Sequence, residues 1–365
     1  MNSTLAVLIN VPILFLLYII IYFTQALSGK RQFYGVSLNS DYFNKKEFKE
    51  LDKKFKLLLT LGFIIFTISL LICVYIFEAY VSSSILPITG FCIYQFVIFI
   101  YIHNKVKTVK QDLSLEISDL ELEKTKVILD TDFMNEKNTI VKRYSILFII
   151  PFIITIIVAI YTCTQYNSMP DIIPTHWGFT GEADAFSEKS LGKVLLNVFM
   201  SIGVGIIMYV SSVNSLKSRA KLDTNNINES KKSHLSHLNK FAFSFFLVNL
   251  GCHLLFINIL IAVSSAGNVN PYMIWPATIL ILVASIYQTY LYYKSPSKSK
   301  SALYSVDDND DNWIFGSIYN NANDPSLFVQ KRFGVGWTIN IGSGKGKALF
   351  ILPFILIIFI SLVSF

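Results

Sequence analysis

The sequence predicts an all-α integral membrane protein with eight transmembrane helices and a small cytoplasmic β-element before the last helix. Three observations predict it. Apolar runs nearly free of charge recur at 5–23, 57–77, 85–102, 145–163, 191–213, 241–263, 272–293 and 348–365. Each approaches the roughly 20 residues that a helix needs to cross a hydrocarbon layer about 30 Å thick. Charged residues make up only 15% of the chain, against about a quarter in soluble domains. The basic residues, finally, collect in alternate connections. A mean hydropathy of +0.52 excludes a disordered chain and argues against an ordinary soluble enzyme. The runs lack strict alternation, so their backbone amides are satisfied as helices and not in a barrel.

The first run resembles a signal peptide, because Ala26 and Ser28 stand at a small-x-small spacing. Nothing basic precedes it, however, and Lys30 and Arg31 follow it closely. It therefore reads as an uncleaved anchor with its amino terminus outside. The inner connections are then 24–56, 103–144, 214–240 and 294–347, which hold 29 of the 31 Lys and Arg residues. All are shorter than about 60 residues, the regime in which positive charge sets orientation. A multi-pass protein of a cell membrane follows, with both termini extracytoplasmic. Orientation explains the net charge of +7, so no nucleic acid is expected. The lipid bilayer is the first partner, with anionic lipid near the basic loops.

Five regions are expected: three spans over 1–144, a two-span unit over 145–213, a loop and two spans over 214–293, a linker and β-element over 294–347, and the last span over 348–365. In the second inner loop, 113–129 places Leu115, Ile117, Leu120, Leu122 and Val127 at helical spacing, which predicts an amphipathic helix. Inner loop 214–240 carries no signal beyond solubility. Asp307, Asp308, Asp310 and Asp311 resemble the start of a calcium loop. The required glycine and closing glutamate are missing, so they read as a solvated acidic patch. Phe333, Val335, Trp337, Ile339 and Ile341 alternate as in a strand, 314–319 could supply its partner, and Asn323-Asp324-Pro325 is turn chemistry. Trp337 and Tyr319 are expected near the lipid headgroups.

The long outer loop, 164–190, gathers His176, Asp171, Glu182, Asp184, Glu188 and Lys189 within a short length. Pro170 and Pro174 stiffen its entry, and Gly178 and Gly181 permit turns around Trp177. Four readings stay open here. A metal site would rest on a single histidine with scattered acids. Acid–base catalysis would use His176 with Asp184 or Glu182 but lacks a nucleophile. A recognition surface would use Trp177 and Phe179 as apolar anchors. A structural cap would hydrogen-bond His176 to Asp184 or to loop backbone.

Within the sixth run, Asn249 and His253 lie four apart on one helix face, with Asn258 beyond them. They could line a cavity or a proton path, or bond between helices. Cys73, Cys92, Cys163 and Cys252 read as small apolar fillers. His234 and His237 lack companion ligands. Pro87 and Pro151 are placed in the first or second turns of their spans. No cofactor or metal is expected, and no catalytic constellation is complete, so no enzyme is expected.

Pro170-x3-Pro174-x-His176-Trp177-x3-Gly181-x2-Asp184-x4-Lys189, set between two spans, resembles the short signature of a bacterial membrane domain of unknown function. That domain forms the amino-terminal part of the SdpI family, whose type member is an immunity protein against a secreted killing peptide. Trp313, Gly316, Tyr319, Asn323-Asp324-Pro325, Val329, Lys331-Arg332, Gly334, Gly336-Trp337-Thr338 and Asn340 resemble a second uncharacterised domain, found at the carboxy end of proteins with the first signature. Together the resemblances imply a Gram-positive membrane protein. They assign Pro174, His176, Trp177, Gly181, Asp184 and Lys189 to an outer ligand site, and Asp324, Lys331, Arg332 and Trp337 to the cytoplasmic element. In SdpI proteins the signature follows the first span; here it follows the fourth. The function implied is non-enzymatic immunity or sensing of an extracytoplasmic peptide or small ligand, with a possible cytoplasmic regulator as partner. The alternative is transport of a small or lipidic substrate through the bundle, using Asn249 and His253.

Overall fold

The structure is a computed structural model that describes residues 3–28, 31–38, 40–77, 82–113, 131–178, 180–218, 220, 222, 226–296, 309–334 and 336–364. Its helices are α1 (Ser3–Leu27), α2 (Lys46–Tyr75), α3 (Ser82–Asp112), α4 (Thr131–Thr164), α5 (Leu191–Lys217), α6 (Ile227–Ser265), α7 (Pro271–Tyr293) and α8 (Gly344–Ser364). The strands are β1 (Gln32–Phe33), β2 (Val36–Ser37), β3 (Ile172–Trp177), β4 (Ala183–Glu188), β5 (Trp313–Ile314), β6 (Ile318–Tyr319), β7 (Phe328–Gln330) and β8 (Trp337–Ile339).

Among the described residues, seven helices, α1 to α7, are long and apolar enough to cross a membrane, where the sequence predicts eight. The last apolar run does fold as helix α8. Its side chains beyond Ile355 lie outside the described residues, and it is not among the seven. The helices are inside-out relative to a water-soluble protein. Ile64, Ile65 and Ile68 of α2, Ile153, Ile154 and Ile157 of α4, and Leu282, Val283 and Ile286 of α7 are all exposed. Rows of exposed branched aliphatics on adjacent turns match a lipid solvent, not water. The chain is a multi-pass membrane protein.

The chain divides into two compact units. The first comprises Met1–Lys126, Lys298–Asp324 and Val329–Gly342. Its core includes Tyr34, Phe48, Phe55, Phe91, Phe99 and Ile102. The ring of Phe333 stacks on Phe99 at 4.3 Å between centroids. Two short hairpins, β1–β2 and β5–β6, face each other. Each turns through an aromatic–glycine pair in the left-handed region: Tyr34 (φ 46°) with Gly35 (78°), and Phe315 (51°) with Gly316 (66°). Such turns match the right-handed twist of the strands they join. A Cβ on Gly35 would lie 2.6 Å from the Gly316 carbonyl oxygen, so the backbones touch only because both residues are glycine.

The second unit comprises Val127–Ser297, Pro325–Phe328 and Ser343–Phe365. Helices α4, α5, α6 and α7 pack side by side within it. Gly251 of α6 lets Ile281 of α7 approach, since a Cβ there would meet its Cγ1 at 2.6 Å.

Several expectations change. Residues 314–319 partner the 333–341 stretch only at its end: Tyr319 bridges Asn340 in parallel and accepts from Ile341 N–H at 3.0 Å. Otherwise they close a hairpin with Trp313, and β8 pairs with β7. Tyr319 is fully buried and donates to Asp324 Oδ2 at 2.9 Å, so it does not reach headgroups. Asp310 is no solvated acid; it is paired with Arg332 and Lys110. Pro151 lies mid-helix, because α4 begins at Thr131, well before its apolar run. Inner loop 214–240 is likewise part helix, since α6 starts at Ile227. The stretch 114–129, Asp307, Asp308, Val335 and Phe179 fall outside the described residues.

Candidate functional site: a docked hairpin with an exposed histidine–aspartate pair

β3 and β4 form an antiparallel hairpin, pairing Ile172 with Glu188, Pro174 with Phe186 and Trp177 with Ala183. Pro174 is buried and leaves its place in the ladder without a donor. The register slips on either side of His176, a bulge that re-aims this side chain. The turn closes through Gly178 N–H to Glu182 O (2.8 Å) and Gly181 N–H to Gly178 O (2.9 Å).

Four bonds fasten this hairpin. Trp177 Nε1 donates to Gly267 O at 3.0 Å. Val269 N–H donates to Gly181 O at 3.0 Å. Ala183 N–H donates to Asn268 Oδ1 at 3.0 Å. At the open end, Lys189 Nζ donates to Met169 O at 2.7 Å and lies 5.3 Å over the Tyr166 ring. The tip thus sits on the α6–α7 connection. That connection is itself fixed by Asn258, which accepts from Asn270 N–H and donates to Asn270 O, both at 2.9 Å. Gly181 has φ +87°, and a Cβ there would stand 2.9 Å from Val269 O. Underneath, Ile173, Met169, Val194 and Val263 form a small buried core.

His176 and Asp184 are different. His176 Nδ1 meets Asp184 Oδ1 at 2.5 Å, with the two side chains 69% and 53% exposed. The carboxylate orients the imidazole through Nδ1 and leaves Nε2 outside the pair. An exposed pair of this kind adds little to stability. Among the described residues, no group of three or more His, Cys, Asp or Glu side chains could hold a metal ion. Of the signature residues, then, Pro174, Trp177, Gly181 and Lys189 build the platform, and His176 and Asp184 project from it.

Asn249 and His253 are both buried in α6. His253 Nδ1 lies 2.9 Å from Thr155 Oγ1 of α4, an interhelical bond. Among the described residues, no hydrogen bond joins either of them to His176 or Asp184. His237 is also structural, its Nε2 meeting Leu291 O at 2.8 Å.

In the carboxy-terminal element, Asp324 is buried as an acceptor for Tyr319, and its carbonyl accepts from Asn340 Nδ2 at 3.0 Å. Arg332 is completely buried; it donates to Gly35 O at 3.1 Å and to Asp310, and lies 4.9 Å over the Trp313 ring. Asp310 also accepts from Lys110 Nζ (2.7 Å) and Ser37 N–H (2.9 Å). Burial alone would raise the Asp310 pKa, but Arg332 and Lys110 outweigh it and hold the carboxyl below its ordinary value. Lys331 is exposed and Trp337 half-buried. Asp324 and Arg332 therefore hold the element together. Sequence reading missed the central role of Asp310 and of the two aromatic–glycine turns; the repeated pairs Tyr34-Gly35 and Phe315-Gly316 were the available signal.

The fold and hairpin define a polytopic membrane protein with a platform-mounted polar pair. Residues 146–201 match the Domain of unknown function (DUF1648), and residues 322–347 match the Family of unknown function (DUF5808). The first match contains the whole β3–β4 hairpin, and the second contains β7 and β8. No curated protein and no solved structure matches the chain.

Proposed function

We propose that the β3–β4 hairpin is a recognition element on the outer face of a bacterial cell membrane, and that the protein gives immunity against, or senses, an extracytoplasmic peptide or small ligand. The supporting observation is the division of labour in the hairpin. Its tryptophan, glycine and lysine anchor it, while His176 and Asp184 stay exposed in a fixed mutual orientation. A rigid scaffold carrying an exposed polar pair suits binding. The charge distribution supports eight spans with both termini outside, which puts this hairpin outside and the Arg332 element inside, within reach of a cytoplasmic regulator. The SdpI resemblance supports the immunity reading and a Gram-positive setting.

The test is survival of a sensitive bacterium challenged with a panel of cell-envelope toxins. Wild type should protect, and His176→Ala at equal membrane level should not. Equal protection by both removes the hairpin pair from the function. The transport alternative has its own test, flux into vesicles that His253→Leu abolishes.

A further inference from the structure

The polar face of α6 carries hydrogen-bonding capacity that its own neighbours do not use. Asn249 is wholly buried, and neither its Oδ1 nor its Nδ2 has a partner. His253, one turn on, is buried with its Nε2 unpartnered. Residues four apart lie on one helix face with Cβ atoms about 5–6 Å apart. Counted from Ser265 at about 1.5 Å per residue, His253 lies about 18 Å into the helix. That is near the middle of a hydrocarbon layer about 30 Å thick. Unmatched polar groups are costly at that depth.

The bonding pattern states what would fit. Thr155 Oγ1 donates its single proton to Pro151 O at 3.0 Å. In the tautomer that keeps this bond, Nδ1 donates to Thr155 Oγ1 and carries the ring proton. The neutral ring then presents Nε2 as a bare acceptor. Asn249 adds one amide donor group and one carbonyl acceptor. An anion would face the Nε2 lone pair. A hard cation would find one amide oxygen and one imidazole nitrogen, too few ligands to replace its hydration. A hydroxyl satisfies both residues, giving its proton to Nε2 and accepting from Asn249 Nδ2.

The neighbouring helix packs closely against this ring. Gly205 of α5 faces it, and a Cβ there would stand 2.9 Å from His253 Cε1 and 2.6 Å from the Phe152 ring. Only glycine at 205 lets α5 come this close to the two rings, so the position of the His253 imidazole depends on it.

We propose that Asn249 and His253 form a buried binding site for one hydroxyl group within the α4–α5–α6 bundle, filled by a water molecule or by a small lipophilic alcohol. The proposal is independent of the hairpin reading and requires no flux.

The experiment uses the full chain in phospholipid nanodiscs, in two arms. In the first, X-ray-generated hydroxyl radicals in ¹⁸O-water label residues beside bound water, and mass spectrometry maps the oxygen to α6 peptides. In the second, a diazirine-bearing octanol is photolysed, with unlabelled octanol as competitor. Label at 249–253 in the first arm assigns water; competed label there in the second assigns an alcohol. Asn249→Leu and His253→Leu should each reduce that label at least fivefold. Gly205→Ala, which keeps both polar residues but presses a methyl on the His253 and Phe152 rings, should reduce it by displacing the imidazole. No label near these residues in either arm overturns the proposal. So does label that the leucine variants leave unchanged, or a raised melting temperature in both leucine variants without label, the signature of a dry site.

Discussion

Replacing Gly181 by alanine tests whether the hairpin is a mounted platform. The backbone there has φ +87°, and the new methyl would stand 2.9 Å from Val269 O and 3.3 Å from Val269 Cγ2. A non-glycine residue in sparsely populated backbone space costs about 1–3 kcal/mol. The clash falls on the residue whose N–H donates to Gly181 O at 3.0 Å, so a bond worth about 1 kcal/mol is strained as well. Tip and connection should separate more often, by a free energy of about 2–3 kcal/mol. At about 1.4 kcal/mol per tenfold, that is a rise of roughly 30- to 150-fold in local opening. Hydrogen exchange of the full protein in nanodiscs reads it directly, at the amides of Gly181, Ala183 and Val269. Amides in the middle of α4 and α6 should not change. Unaltered exchange at the tip would refute the docking, and uniformly faster exchange would mean that Gly181 supports the whole unit.

Three further outcomes are expected. Trp177→Phe keeps an aromatic ring, though a smaller one, and loses the Nε1 bond to Gly267 O, so local opening at the tip should cost at least about 1 kcal/mol less; an unchanged exchange rate at Asn268 and Val269 counts against it. Arg332→Met leaves Asp310 and the Gly35 carbonyl short of a buried cation, and thermal unfolding should show a loss of about 3–5 kcal/mol, not rescued by Arg332→Lys, whose single ammonium cannot copy the guanidinium fork. The third concerns pH. Asp310 has a folded pKa below its unfolded value of about 4. Its contribution is therefore complete above about pH 4 and is lost as pH falls through the lower folded value. Asp310→Asn should flatten the acid limb of the denaturation profile, and an unchanged limb would dismiss the ion cluster.

The membrane class was legible because hydrocarbon imposes a length and a composition on each span. Span edges were less so. Helices α2, α4 and α6 run far past their apolar cores, since polar and basic turns continue a helix without any hydropathy signal. In the β-element, alternation from Phe333 to Ile341 suggested one long strand, yet Phe333 stacks on Phe99, Trp337–Ile339 pairs with β7, and Asn340 and Ile341 turn to Tyr319. Period two identifies alternating burial and not the partner that causes it. Asp310 was misread for a related reason. Its cation partners, Lys110 and Arg332, are distant in sequence, and an acidic run with no nearby cation looks solvated. At the hairpin, Gly181 and Trp177 were recognisable as turn and anchor, but their acceptors on the α6–α7 connection were not, because backbone carbonyls carry no residue identity.

The hairpin geometry also separates two meanings of a functional signature. If the motif existed only to fold the loop, its side chains should all be engaged in the platform, and Pro174, Trp177, Gly181 and Lys189 are. His176 and Asp184 are not: they bond to each other in the open, where such a pair stabilises little. His176→Ala should therefore leave exchange at the hairpin tip unchanged while Gly181→Ala accelerates it. A ligand read by the imidazole would lose affinity in the first variant through missing contacts, and in the second through a loosened platform. If His176→Ala instead loosens the tip as much as Gly181→Ala does, the pair is a structural clasp. The recognition reading then loses the observation on which it stands.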